Sequence, residues 1–140
     1  MSFSINTGVK TVTHVLTGAE FKSLIDSSGI DILTLPTNVS ISVLGLNYGE
    51  NMLSYSTGYI GELRLIESNG GRDITEPINI SNGFTNPFSV DFNLITTNTD
   101  NAKAVVGGDT LRFIGNNGYP TQPDTKHVIT LTYLEVDLNV

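Results

Sequence analysis

Turn-forming residues recur along this chain at short, similar intervals and leave little room for long helices. Pro36-Thr37-Asn38, Asn69-Gly70-Gly71, Asn82-Gly83, Gly107-Gly108-Asp109 and Asn116-Asn117-Gly118 each interrupt the apolar pattern. Between them, apolar and polar residues alternate with period two, the repeat of a strand with one buried face. Leu63 and Leu65 alternate with Glu62 and Arg64, and Phe88, Val90, Phe92 and Leu94 alternate with Ser89, Asp91 and Asn93. The spacing predicts an all-β chain, an antiparallel β-sandwich of about eight strands. One short helix is expected near the N-terminus. There Thr17-Gly18-Ala19-Glu20 has the spacing of a capping box, with Phe21, Leu24 and Ile25 on one face.

Length and composition fit a single packed unit. The chain has 140 residues, of which 39% are hydrophobic and only 15% charged, enough for one core without metal or disulfide support. Residues 1–8 are polar and broken by Gly8, and read as a flexible arm; residues 9–140 read as one β-sandwich domain. The net charge of -7 and the scattered Lys and Arg residues leave no basic field, so nucleic acid is not an expected partner. No segment has the length and apolarity of a membrane span, and Met1 to Asn6 lacks the pattern of a signal peptide. Synthesis and folding in a cytoplasm are expected, with no cofactor.

Two strands change phase. In the run Lys126 to Val140, Ile129, Leu131 and Tyr133 form one apolar set, and Leu134, Val136 and Leu138 form the other, with Glu135 and Asp137 between them. A flat strand cannot turn both sets toward one core. Either a bulge at Tyr133 and Leu134 re-aims the second half, or Leu134, Val136 and Leu138 form a stripe for a partner subunit. The second form is the expectation for the last residues. Val39 to Leu46 slips in the same way around Gly45, with Val39, Ile41 and Val43 in one set and Leu44, Leu46 and Tyr48 in the other.

Catalytic patterns are weak. His14 and His127 lie in strand-like runs with no local nucleophile or base, Glu135 and Asp137 read as a solvated strand face, and Gly107-Gly108-Asp109 reads as a turn rather than a Ca²⁺ loop. Tyr48, Tyr55 and Tyr59 lie in or beside one polar stretch and read either as plugs for an end of the sandwich or as a candidate loop for a ligand or partner, a carbohydrate included.

Several landmarks together resemble small tailed-bacteriophage virion proteins. They are Leu16-Thr17-Gly18-Ala19-Glu20-Phe21-Lys22-Ser23-Leu24, Ile32-Leu33-Thr34-Leu35-Pro36, Leu46-Asn47-Tyr48-Gly49 with Tyr55, Gly61-Glu62-Leu63-Arg64-Leu65, and Val128 to Leu138. The resemblance implies a jelly-roll-like sandwich acting as a capsid decoration, head-fibre or tail-associated subunit on the virion surface. It also implies a homotrimer bound to a major capsid or tail-associated protein, and it supplies no catalytic residues. The alternative is a tail-fibre module that binds a receptor or carbohydrate through the loop tyrosines. Pro36-Thr37-Asn38 and Gln122-Pro123-Asp124-Thr125 depart from the family's Gly-rich turns.

Overall fold

The computed structural model describes residues 4–21, 28–50, 60–81, 88–95, 104–105, 107–116 and 126–139. Nine strands lie among them: β1 (Ser4–Thr17), β2 (Ile30–Thr34), β3 (Val39–Glu50), β4 (Ile60–Glu67), β5 (Ile78–Ser81), β6 (Phe88–Asp91), β7 (Ala104–Val105), β8 (Thr110–Asn116) and β9 (Lys126–Asn139). One sheet has the order β1-β9-β3-β6, with β7 also on β3, and the other has the order β2-β8-β4-β5. Every strand pairing among the described residues is antiparallel.

That order is a wound ribbon. First pairs with last (β1 with β9), second with next to last (β2 with β8), and so inward through β3 with β6 and β7 to β4 with β5. Folding such a ribbon over brings β9 beside β3 and β8 beside β4, which gives two sheets around one core. β6 and β7 occupy one position in two pieces, since β6 pairs with Asn47 to Glu50 and β7 with Ile41 and Ser42 on the same side of β3. The fold is therefore a jelly roll with eight strand positions; the alternation predicted a sandwich of about eight strands, and the resemblance implied the jelly roll.

The inner faces carry the apolar alternates. Val43, Leu46 and Leu131 of the first sheet meet Leu63, Leu65 and Phe113 of the second, all of them almost fully buried. The helical turn at 18–21 follows β1 directly, and the predicted capping box is formed. Thr17 Oγ1 accepts from the Glu20 N–H at 3.2 Å, and Glu20 Oε1 accepts from the Thr17 N–H at 3.1 Å. These bonds hold the Glu20 carboxyl below its ordinary range. Phe21 then points into the core, while Leu24 and Ile25 lie outside the described residues.

Three sequence expectations shift. The strand read from Val9 begins at Ser4, so residues 4–8 of the expected arm are in register with Glu135 to Asn139 and their backbone groups find partners there. The regular alternation over 88–94 is a strand only to Asp91. Phe92 donates its N–H to the Leu46 carbonyl at 2.9 Å, and Glu76 donates to the Asn93 carbonyl at 2.8 Å, so the chain crosses toward the other sheet. β5 is confined to Ile78–Ser81, at the sheet edge where a flanking Pro77 is tolerated. The Tyr48 region, read as loop, is the last third of β3.

Two bulges give the fold its joints. Val43 faces Tyr133 and Gly45 faces Thr132, which leaves Leu44 as the extra residue. Leu44 and Gly45 both turn outward, so Val39, Ile41 and Val43 on one side of the bulge and Leu46 and Tyr48 on the other are all buried. Leu44 itself is exposed and not part of the inward set. In β2 the register shifts between Asp31 and Leu33, and Ile32 is the extra residue. Its carbonyl accepts a 2.8 Å bond from His14 Nε2 on β1, which ties the edge strands of the two sheets and makes Nε2 the protonated nitrogen.

The turn around Asp109 locks two further connections. Leu35 donates its N–H to the Asp109 carbonyl and accepts from the Gly108 N–H, and a side chain on Gly107 would run into the Thr37 and Pro36 carbonyls. Burial of Asp109 opposes its charge, but N–H groups of Thr110 (2.7 Å) and Asn69 (3.1 Å) and the Ser68 hydroxyl (3.2 Å) donate to Oδ1 and hold its carboxyl below the ordinary range. A carboxyl with a lowered folded pKa stabilises the fold above its unfolded value, and that contribution is lost as the pH falls through the folded one. Asp109→Ala is expected to cost about 1 to 3 kcal/mol at neutral pH. The deficit should shrink below about pH 4, as measured by urea unfolding at the two pH values.

Candidate assembly surface and a buried polar cluster

Strand register decides where the second apolar set of β9 points. The β1 and β9 ladder runs from Ser4 opposite Asn139 to Thr17 opposite Lys126 without a shift, so β9 has no bulge at Tyr133 and Leu134. Ile129, Leu131 and Tyr133 are buried on the inner face. Leu134 and Val136 therefore stand on the outer face, where both are half-buried. Leu138 continues the ladder opposite Ile5, but its side chain lies outside the described set. Glu135 turns to the other side and accepts from Lys10 Nζ at 3.0 Å.

Neighbouring strands extend this stripe. Val9 is directly opposite Leu134 and 65% exposed, Val15 is opposite Val128 and 60% exposed, and the bulged Leu44 is 46% exposed. Thr11 with Thr132 and Thr13 with Thr130 fill the rows between them, and the Thr13 and Thr130 hydroxyls lie 3.4 Å apart. On β3 the row ends in Asn47, whose Nδ2 donates to Ser89 Oγ and Asp91 Oδ1, both at 2.8 Å. Sequence reasoning found Leu134 and Val136 from the parity change. It missed Val9, Val15 and Leu44, because the face to which an isolated valine belongs is set by its cross-strand partner.

Of the tyrosines, Tyr48 is fully buried, and Tyr55 and Tyr59 lie outside the described residues. The Tyr48 hydroxyl donates to Glu50 Oε2 at 2.6 Å and is 2.6 Å from His127 Nδ1. A phenol has one proton. With that proton directed to Glu50, Nδ1 of His127 is the donor in the second bond. Glu50 and His127 are cross-strand partners, with Nδ1 3.3 Å from Oε2, and Phe21 stacks on the imidazole at 4.2 Å between ring centroids. Glu50 Oε1 has no hydrogen-bond partner among the described residues. The cluster joins β3, β9 and the helical turn inside the sandwich, which makes it an internal tie and removes Tyr48 from the candidate ligand loop.

Among the described residues no group of three or more His, Cys, Asp or Glu is placed to hold a metal ion, and no helix is long and apolar enough to cross a membrane. No protein-family model matches the chain, and no curated protein matches it. Solved structures do match. They include the capsid asymmetric unit of cyanophage Pam1, 18% identical over 96% of this chain and 88% of that one, with a TM-score of 0.45. Desmodium yellow mottle tymovirus matches at 10% identity over 100% and 91% of the two chains, with a TM-score of 0.36. A chain from the disulfide-linked pili of Bacillus endospore appendages matches at 12% identity over 98% and 91%, with a TM-score of 0.35. The jelly-roll assignment rests on this chain's own strand order.

Proposed function

We propose that this chain is a non-enzymatic structural subunit of a virion, a capsid decoration or head-fibre protein that stabilises or extends the particle surface. It assembles as a homotrimer and binds a major capsid or tail-associated protein. The observation that carries this reading is the apolar outer face of the first sheet, where Val9, Leu44, Leu134 and Val136 project from a rigid sandwich. The same strand supplies both the core, through Ile129 and Leu131, and this outer stripe, so the surface is held as firmly as the fold. The landmark resemblance to tailed-phage virion proteins supplies the setting.

Density-purified particles, stained with an antibody to the chain and analysed by mass spectrometry, test the proposal. The chain should be present at a fixed copy number per particle, and particles lacking it should break more readily on heating or dilution. Its absence from purified particles would overturn the reading. The native mass of the isolated chain separately tests the trimer.

A further inference from the structure

The two outer faces of the sandwich differ in charge. The outer face of the β2-β8-β4-β5 sheet carries Asp31 paired with Arg112 at 2.8 Å, Arg64 within 3.7 Å of Asp73, and Glu62, with Ile66 and Ile114 interleaved. Such a face is suited to water. On the outer face of the β1-β9-β3-β6 sheet, the charged side chains among the described residues are Lys126, at one end of β9, and Asp91, on the outermost strand. Between them lie Val9, Val15, Val128, Leu134, Val136 and Leu44 with threonine and serine.

We infer that this neutral face packs against a second copy of the same chain. Each copy has a net charge of -7, so two copies repel wherever charged surfaces meet. A self-contact is favoured only on a face without net charge, and this sheet provides one. It also excludes the usual protection against sheet stacking, because no lysine or glutamate projects from the middle of the stripe. Threonines between aliphatic rows keep the surface low and even, which suits close packing of this face on one copy against that of the next around the three-fold axis of the proposed trimer. Four strand positions about 4.8 Å apart, three of them filled by strands of 12 to 14 residues, give a face of roughly 20 by 40 Å. That is the scale of a stable interface, about 800 Å² per partner. This choice of occupant rests on the structural-subunit reading for the expectation that the chain assembles. It is tested on the isolated chain, so it can fail while particle association stands.

Sedimentation velocity over a wide concentration range, on wild type, Val9→Lys, Leu134→Asp and Arg64→Glu, reads the contact. The expected result is concentration-dependent self-association, weakened on the order of tenfold or more by either charged substitution on the neutral face and unchanged by Arg64→Glu. The chain contains no cysteine, so single cysteines give a readout independent of stability. Thr11→Cys should react slowly with a maleimide in concentrated protein and rapidly after dilution, whereas Asp31→Cys should react rapidly in both. A monomer at every concentration overturns the inference. So does self-association that survives both Val9→Lys and Leu134→Asp, or Thr11→Cys labelling that ignores dilution. If Val9→Lys abolishes particle binding while the isolated wild-type chain is monomeric, another virion protein covers the face, and the inference is likewise overturned.

Discussion

Tyr48→Phe is expected to lower the stability of the isolated chain by about 2 to 4 kcal/mol, although it removes a single oxygen. The ring of Tyr48 would still fill its place between Phe21 and Phe113. What disappears is the donor that satisfies Glu50 Oε2 and the acceptor for His127 Nδ1. Glu50 already has one oxygen without a partner among the described residues, so losing the Tyr48 bond leaves its buried carboxyl only the longer approach of His127 Nδ1 at 3.3 Å. The thermal midpoint should fall by roughly 10 °C for a chain of this size, which calorimetry can measure. Adding Glu50→Gln to Tyr48→Phe should recover part of the loss, because a neutral amide costs less to bury. A Tyr48→Phe variant within about 0.5 kcal/mol of wild type would mean that the cluster is solvated.

Phe113→Ala is the second large effect, expected to cost about 3 to 5 kcal/mol. Phe113 is fully buried on β8, opposite Leu65 and Ile30, and its ring meets those of Phe21, Tyr48 and Phe92 at centroid distances of 6.4, 5.9 and 5.8 Å. These partners come from the helical turn, from β3, and from the segment after β6. Truncation would open a cavity that none of them can close without leaving its own ladder or turn. Urea unfolding should show a lower midpoint with little change in slope, and Phe113→Leu should retain most of the stability. A loss below about 1 kcal/mol for the alanine variant would show that the aromatic cluster collapses around the gap.

Where the sequence pattern was regular, the fold could be read from it. Leu63 and Leu65 alternate with charged residues and are buried in β4; Asn69 to Gly71 closes the turn with Gly71 at φ 66°; Thr17 and Glu20 form their box. The parity change at Leu134 correctly marked an outward stripe, since the unbroken register with β1 leaves no bulge there. Long-range partners decided the rest. Tyr48 and Glu50 look like loop residues beside Gly49, and only His127, seventy-nine positions from Tyr48, makes their burial affordable. Leu44 looks like an inward residue because the alternation of its neighbours hides which of two adjacent residues the bulge expels. The alternation from Phe88 to Leu94 outlasts its strand because Phe92 stays buried after the backbone has left the ladder.

The divided strand β6 and β7 has a consequence for variation between related chains. Asp91 is fixed opposite Asn47, and Ala104 is fixed opposite Ser42, so each piece takes its alignment from β3 rather than from the chain that joins them. The Leu44 bulge falls in the interval between these two anchor points, where β3 bends. The length of the connection is thus uncoupled from the register of the sheet. Phe92 stays in the core and Ile95 donates its N–H to the Ile74 carbonyl, so a change of length that spares the core has to fall after them. A sandwich built this way can change its outline at one edge while the neutral face and the wound ribbon stay the same.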